Sequence, residues 1–284
     1  MCSYRESITN TDPGIPATII ILVHNTPDLL LQCLQNFCER CRALHWQVVV
    51  VDNGSEEDVS GIVSRKFSGV EVIRSERNLG FAAGNNLGLR KAKAEFVFLM
   101  NSDVIAQPET LEALVVALQK SPQTGAMSPG LLTLQGEPQA FAFGSEPSPL
   151  YLIRRGMRRL FRLGPLHDWA TKDAIEVDWV SAACICVRAK AIAEVGELDE
   201  RFPLYFEDTD WCRRMRVAGW KVVYNPRLKI THLGGASKPG GESSGRRDLY
   251  DQGLLLFCEK HYGRGRRFIM RILLAGYRLL PIRN

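Results

Sequence analysis

Three apolar runs, each stopping abruptly on polar turn residues, constrain this chain most: ATIIILVHN (17–25), WQVVVVDNGS (46–55) and AEFVFLMNSD (94–103). Short runs rich in apolar and β-branched residues, without polar alternation, predict strands buried on both faces. Helical spacing separates them. TPDLLLQCLQNFCERC places Pro27 in a first helical turn, a helix follows near 56–67, and NNLGLRKA begins or continues another. A short strand, VEVIRS (70–75), and a helix, PETLEALVVALQKS (108–121), keep the rhythm. Strands alternating with helices imply βαβ units and a parallel sheet. The polar residues that end its strands then fall along one edge, where open α/β sheets bind ligands.

With 284 residues, 45% of them hydrophobic, the chain can build one large α/β domain or two small ones. A charged fraction of 24% excludes a disordered class. The net charge of +5 is mild, so the position of the positive charge matters more than its total. Residues 1–16 read as a flexible leader without a signal-peptide core. No apolar run approaches the ~20 residues that span a bilayer. The eight cysteines are irregularly spaced. Cys38-x-x-Cys41 has no second pair, which argues against zinc, and Cys184 and Cys186 share one strand face. All eight read as reduced thiols of a cytoplasmic protein.

The second half changes character. LYLIRRGMRRLFRLG (150–164) spaces Arg154, Arg155, Arg158, Arg159 and Arg162 along an amphipathic helix. VDWVSAACICVRAKAIAEVG reads as a strand running into a helix, and WKVVYNP (220–226) as a strand before KITHLGGAS (229–237). KPGGESSGRR (238–247) reads as a flexible loop, and the chain closes on a second basic stretch, RGRRFIMRILLAGYRLLPIRN. Both basic stretches fit an anionic membrane surface or, equally, packed helices with a solvated basic face. No nucleic-acid recognition motif accompanies the charge.

Four polar segments carry candidate chemistry. Asp52, ahead of Asn53, Gly54 and Ser55, can accept from a base N–H or a ribose hydroxyl; it can also cap a helix or fix the turn. RNLGFAAGNNLG (77–88) lets backbone approach a ligand, or simply turns into a helix; it lacks both the dinucleotide fingerprint and the P-loop. Asp103 in MNSDV is an oxygen ligand for Mg2+ or Mn2+, or an Asx turn, and His232 is an added ligand or a structural histidine. FPLYFEDTDWCRRM (202–215) sets Glu207, Asp208 and Asp210 beside aromatic bulk. That suits a helix N-terminus, and it suits a carboxylate whose proton affinity is raised for base catalysis. Trp211, one turn after Asp208, is expected as an apolar wall of that pocket, and Asp210 as a cap or a partner of Arg213 or Arg214.

In this order VDNGS, RNLGFAAGNN, NSD, ELDERFPLYFEDTDWCRR and THLGGAS resemble the family 2 glycosyltransferases of GT-A fold, most nearly their bacterial rhamnosyltransferase branch, over roughly residues 17–237. The resemblance implies an α/β fold with a Rossmann-like, mostly parallel central sheet flanked by helices. Residues 17–105 would form a nucleotide-sugar half and 106–237 an acceptor and catalytic half. Residues 238–284 would add a flexible loop and basic amphipathic helices as a C-terminal extension. The implied activity is inverting transfer from a nucleotide-diphosphate sugar, with dTDP-L-rhamnose favoured, to a saccharide or lipid-linked saccharide in bacterial cell-surface polysaccharide synthesis such as O-antigen assembly. A UDP-hexose or UDP-N-acetylhexosamine donor, or a non-catalytic sugar-nucleotide-binding scaffold, is the alternative.

Carried over, Asp52 with Asn53 contacts the nucleoside, and His24 and Asn25 line the first strand end of that pocket. Arg77, Asn78 and Asn85 lie near the nucleotide and diphosphate. Asn101, Ser102 and Asp103 match the DxD motif, with Asp103 and His232 as ligands of Mg2+ or Mn2+. Asp208 is the base, and Glu207 hydrogen-bonds donor sugar or acceptor. Asn101 departs from the pattern and removes one charge from the metal site. The implied place is the cytoplasm, peripheral to the inner face of the membrane, without a nucleic-acid partner.

Overall fold

The computed structural model describes residues 11–234 and 243–279. Most of the expected leader, the first half of the expected loop and the last five residues lie outside the described part. Strands β1 (Ala17–Val23), β2 (Gln47–Asp52), β3 (Val70–Arg74) and β4 (Phe96–Asn101) pair in parallel in the order β3-β2-β1-β4. Helices α1 (Pro27–Ala43), α2 (Val59–Lys66) and α3 (Phe81–Leu89) make the crossovers. Ile20, Val49 and Leu99 sit abreast in this sheet without solvent exposure, as the unbroken apolar runs predict. The glycines of RNLGFAAGNNLG seat α3 on the sheet: a Cβ at Gly88 would lie 2.3 Å from Ile20.

Beyond β5 (Val104–Ile105) and α4 (Pro108–Gln119), the sheet continues through β6 (Thr124–Leu132). Strand β10 (Cys184–Arg188) lies between β4 and β6, antiparallel to both, with Cys184 and Cys186 buried. A small ribbon pairs β7 (Phe143–Gly144) with β9 (Trp179–Val180). The strand expected at 220–226 and the KITH that follows join in one long strand, β11 (Lys221–His232), parallel to β6, with one irregularity between Lys221 and Val222 and a second between Asn225 and Lys229. Pro226, which has no N–H for a ladder, stands in that irregularity. Strand β8 (Ile175–Glu176) pairs with β11.

Helix α5 (Pro149–Leu160) precedes α6 (Ala189–Val195) and α7 (Glu207–Val217). The C-terminal extension consists of α8 (Ser243–Tyr262) and α9 (Arg264–Leu279). The expected loop through residue 247 therefore gives way to helix at Ser243.

One apolar core runs under the whole sheet and joins Ile20, Phe98, Val115, Met127, Val187 and Tyr224 from both halves. A second, smaller core unites Leu152 of α5, Phe257 of α8 and Met270 of α9 with Phe202 and Phe206. The C-terminal helices thus pack directly on the segment that introduces Glu207. The seven described cysteines are free thiols, and burial pushes Cys184 up to about 12. Among the described residues no helix is long and apolar enough to cross a membrane.

Candidate active site

A cleft of about 580 Å3 opens where the strands of both halves end. Its first wall comes from the turns after β1, β2 and β4. Asn53 organises it: the side-chain amide donates to Asn78 Oδ1 at 3.0 Å and to the Gly80 carbonyl at 3.1 Å, and accepts the Leu79 N–H at 2.9 Å. Gly54 permits this contact. Its φ is +78°, and a Cβ would lie 2.4 Å from the carbonyl carbon of Arg77. VDNGS and RNLGF, distant in sequence, are therefore one interlocked wall. His24 lines the same wall with a buried Nδ1 that has no hydrogen-bond partner among the described residues.

Not every candidate reaches the cleft. Asp52 is fully buried; it accepts the Ser55 N–H at 2.9 Å and lies 3.5 Å from Arg74, so it fixes the turn behind the wall. Asn25 adopts φ +53° and accepts the Glu56 N–H at 2.9 Å. Asn85 is buried on α3 and donates to the Phe81 carbonyl at 3.0 Å. These three residues and Arg77 stand outside the cleft lining.

Past the end of β4, Asp103 meets His232 at the end of β11, with Oδ1 3.2 Å from Nε2. His232 Nδ1 lies 2.8 Å from Gln139 Oε1. Donation from Nδ1 to Gln139 leaves Nε2 as a lone pair facing a carboxylate oxygen, and two acceptors this close favour a cation between them. Asn101 stands beside them, its amide 3.5 Å from Nε2, and Ser102 Oγ lies 3.2 Å from Thr26 Oγ1. One carboxylate, one imidazole and a neighbouring amide fit a divalent cation that takes its remaining ligands from diphosphate and water. Among the described residues no three His, Cys, Asp or Glu side chains group as a complete metal set.

The opposite wall carries Glu207 and Asp208. Tyr205 and Phe206 precede them with φ of +67° and +71°, a left-handed pair of bulky residues. Such a conformation costs about 1–3 kcal/mol per residue and persists only where packing enforces it. The second core does so: the Phe206 ring lies 4.9 Å from Tyr250, and a Cβ at Gly253 would fall 2.8 Å from the Tyr205 carbonyl oxygen.

Asp208 accepts the Ala182 N–H at 3.2 Å, and the Thr209 N–H at 2.6 Å and hydroxyl at 3.2 Å. Burial raises its proton affinity, and these bonds partly offset the rise. Glu207 is pushed well above the ordinary carboxylate range by burial and then by the Asp208 charge, and its buried Oε2 has no hydrogen-bond partner among the described residues. The two carboxyls titrate as a coupled pair, and burial raises the proton affinity of both.

One neighbour differs from expectation, and another meets it with added partners. Trp211 is no cleft wall: the helix turns it inward, fully buried, with its indole N–H 2.8 Å from the Gly196 carbonyl. Asp210 pairs with Arg214 at 2.9 Å, as one of two expected partners, but also with Lys260 and His261 of α8. Arg213 pairs instead with Glu146. Gln139, Ala182, Tyr205 and Leu249 of α8 also shape the site. Tyr205 lies within FPLYFEDTDWCRRM, whereas topology brings Gln139, Ala182 and Leu249 there without a local motif.

A family model described as "Glycosyl transferase family 2" matches residues 18–137. The N-acetylglucosaminyl-diphospho-decaprenol L-rhamnosyltransferase of Mycobacterium tuberculosis is 30% identical over 207 residues, which cover 65% of this chain and 66% of that protein. Rhamnosyltransferase WbbL of Escherichia coli (strain K12) is 22% identical over 228 residues, covering 75% of this chain and 82% of that one. Among solved structures, the mannosyltransferase PcManGT of Pyrobaculum calidifontis, in complex with GDP-Man and Mn2+, aligns with a TM-score of 0.60 at 18% identity, over 95% of this chain and 72% of the other. GalNAc-T7 with UDP, GalNAc and Mn2+ aligns at 0.63 and 16% identity, over 86% and 48%. These likenesses carry the fold, a GT-A sheet flanked by helices. Matched in sequence along its first half and in fold across most of its length, the chain belongs to the family 2 glycosyltransferases, in their rhamnosyltransferase-like branch.

Proposed function

We propose that this chain is an inverting glycosyltransferase that moves a sugar from a nucleotide diphosphate to a saccharide hydroxyl, with Asp208 as the general base. The carrying observation is that Asp208 and the Asp103–His232 pair open on one cleft. The acceptor hydroxyl bonds to the anomeric carbon as its proton passes to Asp208, and the bond from that carbon to the diphosphate oxygen breaks. The N–H groups of Ala182 and Thr209 orient the Asp208 carboxylate for this task. Glu207 hydrogen-bonds a hydroxyl of the donor sugar or the acceptor. His24, Asn53 and Asn78 supply the polar wall for the nucleotide. Asp103 and His232 would hold Mg2+ or Mn2+, which when bound supplies positive charge to the departing diphosphate.

L-Rhamnose from dTDP-L-rhamnose is the favoured donor, because two relatives are named rhamnosyltransferases. A UDP-linked sugar is the second reading, supported by a neighbour solved with UDP. A lipid-linked acceptor fits the name of the mycobacterial relative and the faces of α5 and α9. Ile153, Met157 and Leu160 are exposed on α5 beside Arg154, and Phe268, Ile269 and Ile272 on α9 beside Arg264, Arg267 and Arg271. Apolar and cationic side chains together suit an anionic bilayer surface.

The test is Asp208→Asn. Turnover falls about 10²–10⁴-fold while nucleotide-sugar affinity, read by calorimetry, changes little. Surviving turnover would place the base elsewhere, and donor binding without turnover across acceptors would favour a scaffold.

A further inference from the structure

The cleft is divided by chemistry. His24, Asn53, Asn78, Asp103 and His232 make one half polar. Around Asp208 the lining is mostly apolar: Ala182, Pro203, Leu204 and Leu249, with the Tyr205 side chain. The halves meet at Gly80, where an added Cβ would stand 3.5 Å from the Pro203 carbonyl oxygen. Leu249 is half-buried and comes from α8, outside both halves of the sheet. Its position is fixed one turn along the helix. Gly253, four residues on, shares its face, and a Cβ there would lie 2.8 Å from the Tyr205 carbonyl oxygen and 3.5 Å from that of Leu204. Tyr250, next to Leu249, packs on Phe206 with ring centroids 4.9 Å apart.

A base that accepts a proton from a sugar hydroxyl accepts one from water as readily. In that side reaction the water oxygen bonds to the anomeric carbon, its proton passes to Asp208, and the bond from that carbon to the diphosphate oxygen breaks. Free sugar and nucleoside diphosphate are released. An ordered water needs about 2–4 polar partners. The Asp208 carboxylate is already engaged by the Ala182 and Thr209 N–H groups and the Thr209 hydroxyl. Leu249 adds bulk beside it without adding a partner. A pyranose differs from water here, because its C–H faces gain from apolar contact.

We infer that Leu249 is a specificity-determining residue that favours a sugar hydroxyl over water as the nucleophile, by filling the catalytic side of the cleft with a side chain that offers water no hydrogen bond. The inference rests on the transferase reading and gives the C-terminal extension a part in the choice of nucleophile. Truncation to Ala vacates the space of roughly two waters at about 30 Å3 each. A polar side chain at the same place would also hold a water there.

Nucleoside diphosphate release in the absence of any acceptor tests it. The full chain is given Mn2+ and dTDP-L-rhamnose, or UDP-glucose if calorimetry shows that one to bind instead. Leu249→Ala should raise hydrolysis, and Leu249→Asn, which adds a partner for water, should raise it further, to about tenfold over the wild type. Leu249→Met keeps apolar bulk and should hydrolyse no faster than the wild type, which separates lost shielding from a disturbed fold. Equal hydrolysis in the wild type, Leu249→Ala and Leu249→Asn overturns the inference and leaves the transferase reading standing. A Leu249→Met chain that hydrolyses as fast as Leu249→Asn overturns it as well. Adding Asp208→Asn to Leu249→Asn should remove the gain. Hydrolysis that persists in that double variant would strike the base role of Asp208 and leave the shielding by Leu249 in place.

Discussion

Asp210 Oδ1 lies 2.6 Å from Lys260 Nζ, which ties the helix that starts at Glu207 to the C-terminal extension. His261 meets the same oxygen at 2.7 Å, and Arg214 holds the other at 2.9 Å. Asp210 is fully buried, so the extension is part of the cleft's architecture.

Removing that carboxylate leaves a buried cluster of cations. Asp210→Ala should cost about 3–5 kcal/mol in denaturant unfolding, and Lys260→Met less, because Arg214 and His261 remain. Burial works to raise the proton affinity of Asp210, but the His261 hydrogen bond and the Arg214 and Lys260 charges outweigh it and hold the group below its ordinary value. Its stabilisation is therefore present above the unfolded value of ~3.9 and is lost as pH falls through the lower folded value. Asp210→Asn should flatten that acid loss; an unchanged acid limb would remove Asp210 from the account.

Glu207 works in the opposite sense. Its folded proton affinity is raised by burial and by Asp208, so its contribution is full below the unfolded value of ~4.3 and declines as pH rises through the folded one. Glu207→Gln, neutral and nearly isosteric, should keep the fold and gain stability relative to wild type at alkaline pH. Turnover should rise with pH along a limb set by the coupled pair above the free aspartate value of ~3.9, because Asp208 must ionise to act. A pH–rate profile flat through that limb would remove the base role.

The sheet was legible because its strands are buried on both faces: Ile19–Ile21 and Val48–Val51 can only be interior. The chemistry of VDNGS was less so. Asp52 and Asn53 are adjacent, yet the carboxylate turns back to the Ser55 N–H while the amide reaches the Asn78 loop. Alternation along a strand decides that, not residue type. Trp211 shows the same limit on a helix, where tertiary packing chose the inward face. The left-handed Tyr205–Phe206 pair has no local signature, since glycine would suit those angles better and the enforcing contacts come from α8.

Gln139 accepts from His232 Nδ1 and so sets which imidazole nitrogen faces Asp103. Gln139→Leu should weaken Mn2+ binding about 10–100-fold, read by electron paramagnetic resonance, and Gln139→Glu should retain most of it. Equal affinity in all three chains would exclude this positioning role.

The exposed faces of α5 and α9 lead to a salt-dependent expectation. Vesicles containing anionic lipid should retain the chain at low salt, and neutral vesicles should not. Replacing Arg154, Arg264 and Arg267 with Gln should release it, at about 1 kcal/mol for each charge near the surface. Failure of anionic vesicles to retain the wild type would end the membrane reading.

Gly253 offers the most direct test of how the extension shapes the catalytic wall. It lies on α8 where backbone meets backbone, and an added methyl would fall 2.8 Å from the Tyr205 carbonyl oxygen and 2.8 Å from the Phe206 ring. Ala is the better helix former by about 1 kcal/mol, so on propensity alone Gly253→Ala would stabilise. Overpacking against a rigid carbonyl costs about 1–3 kcal/mol and should win, giving net destabilisation or a displaced loop. In the second case the fold survives and the loss appears in kcat, because Tyr205 and Phe206 lead straight into Glu207 and Asp208. Gly276, on α9, has nothing within 4 Å of the corresponding position, so Gly276→Ala is the control and should stabilise by the propensity difference alone. If both substitutions stabilise equally with turnover unchanged, the left-handed pair does not depend on α8, and the strain is held by the Phe202–Phe206 segment itself.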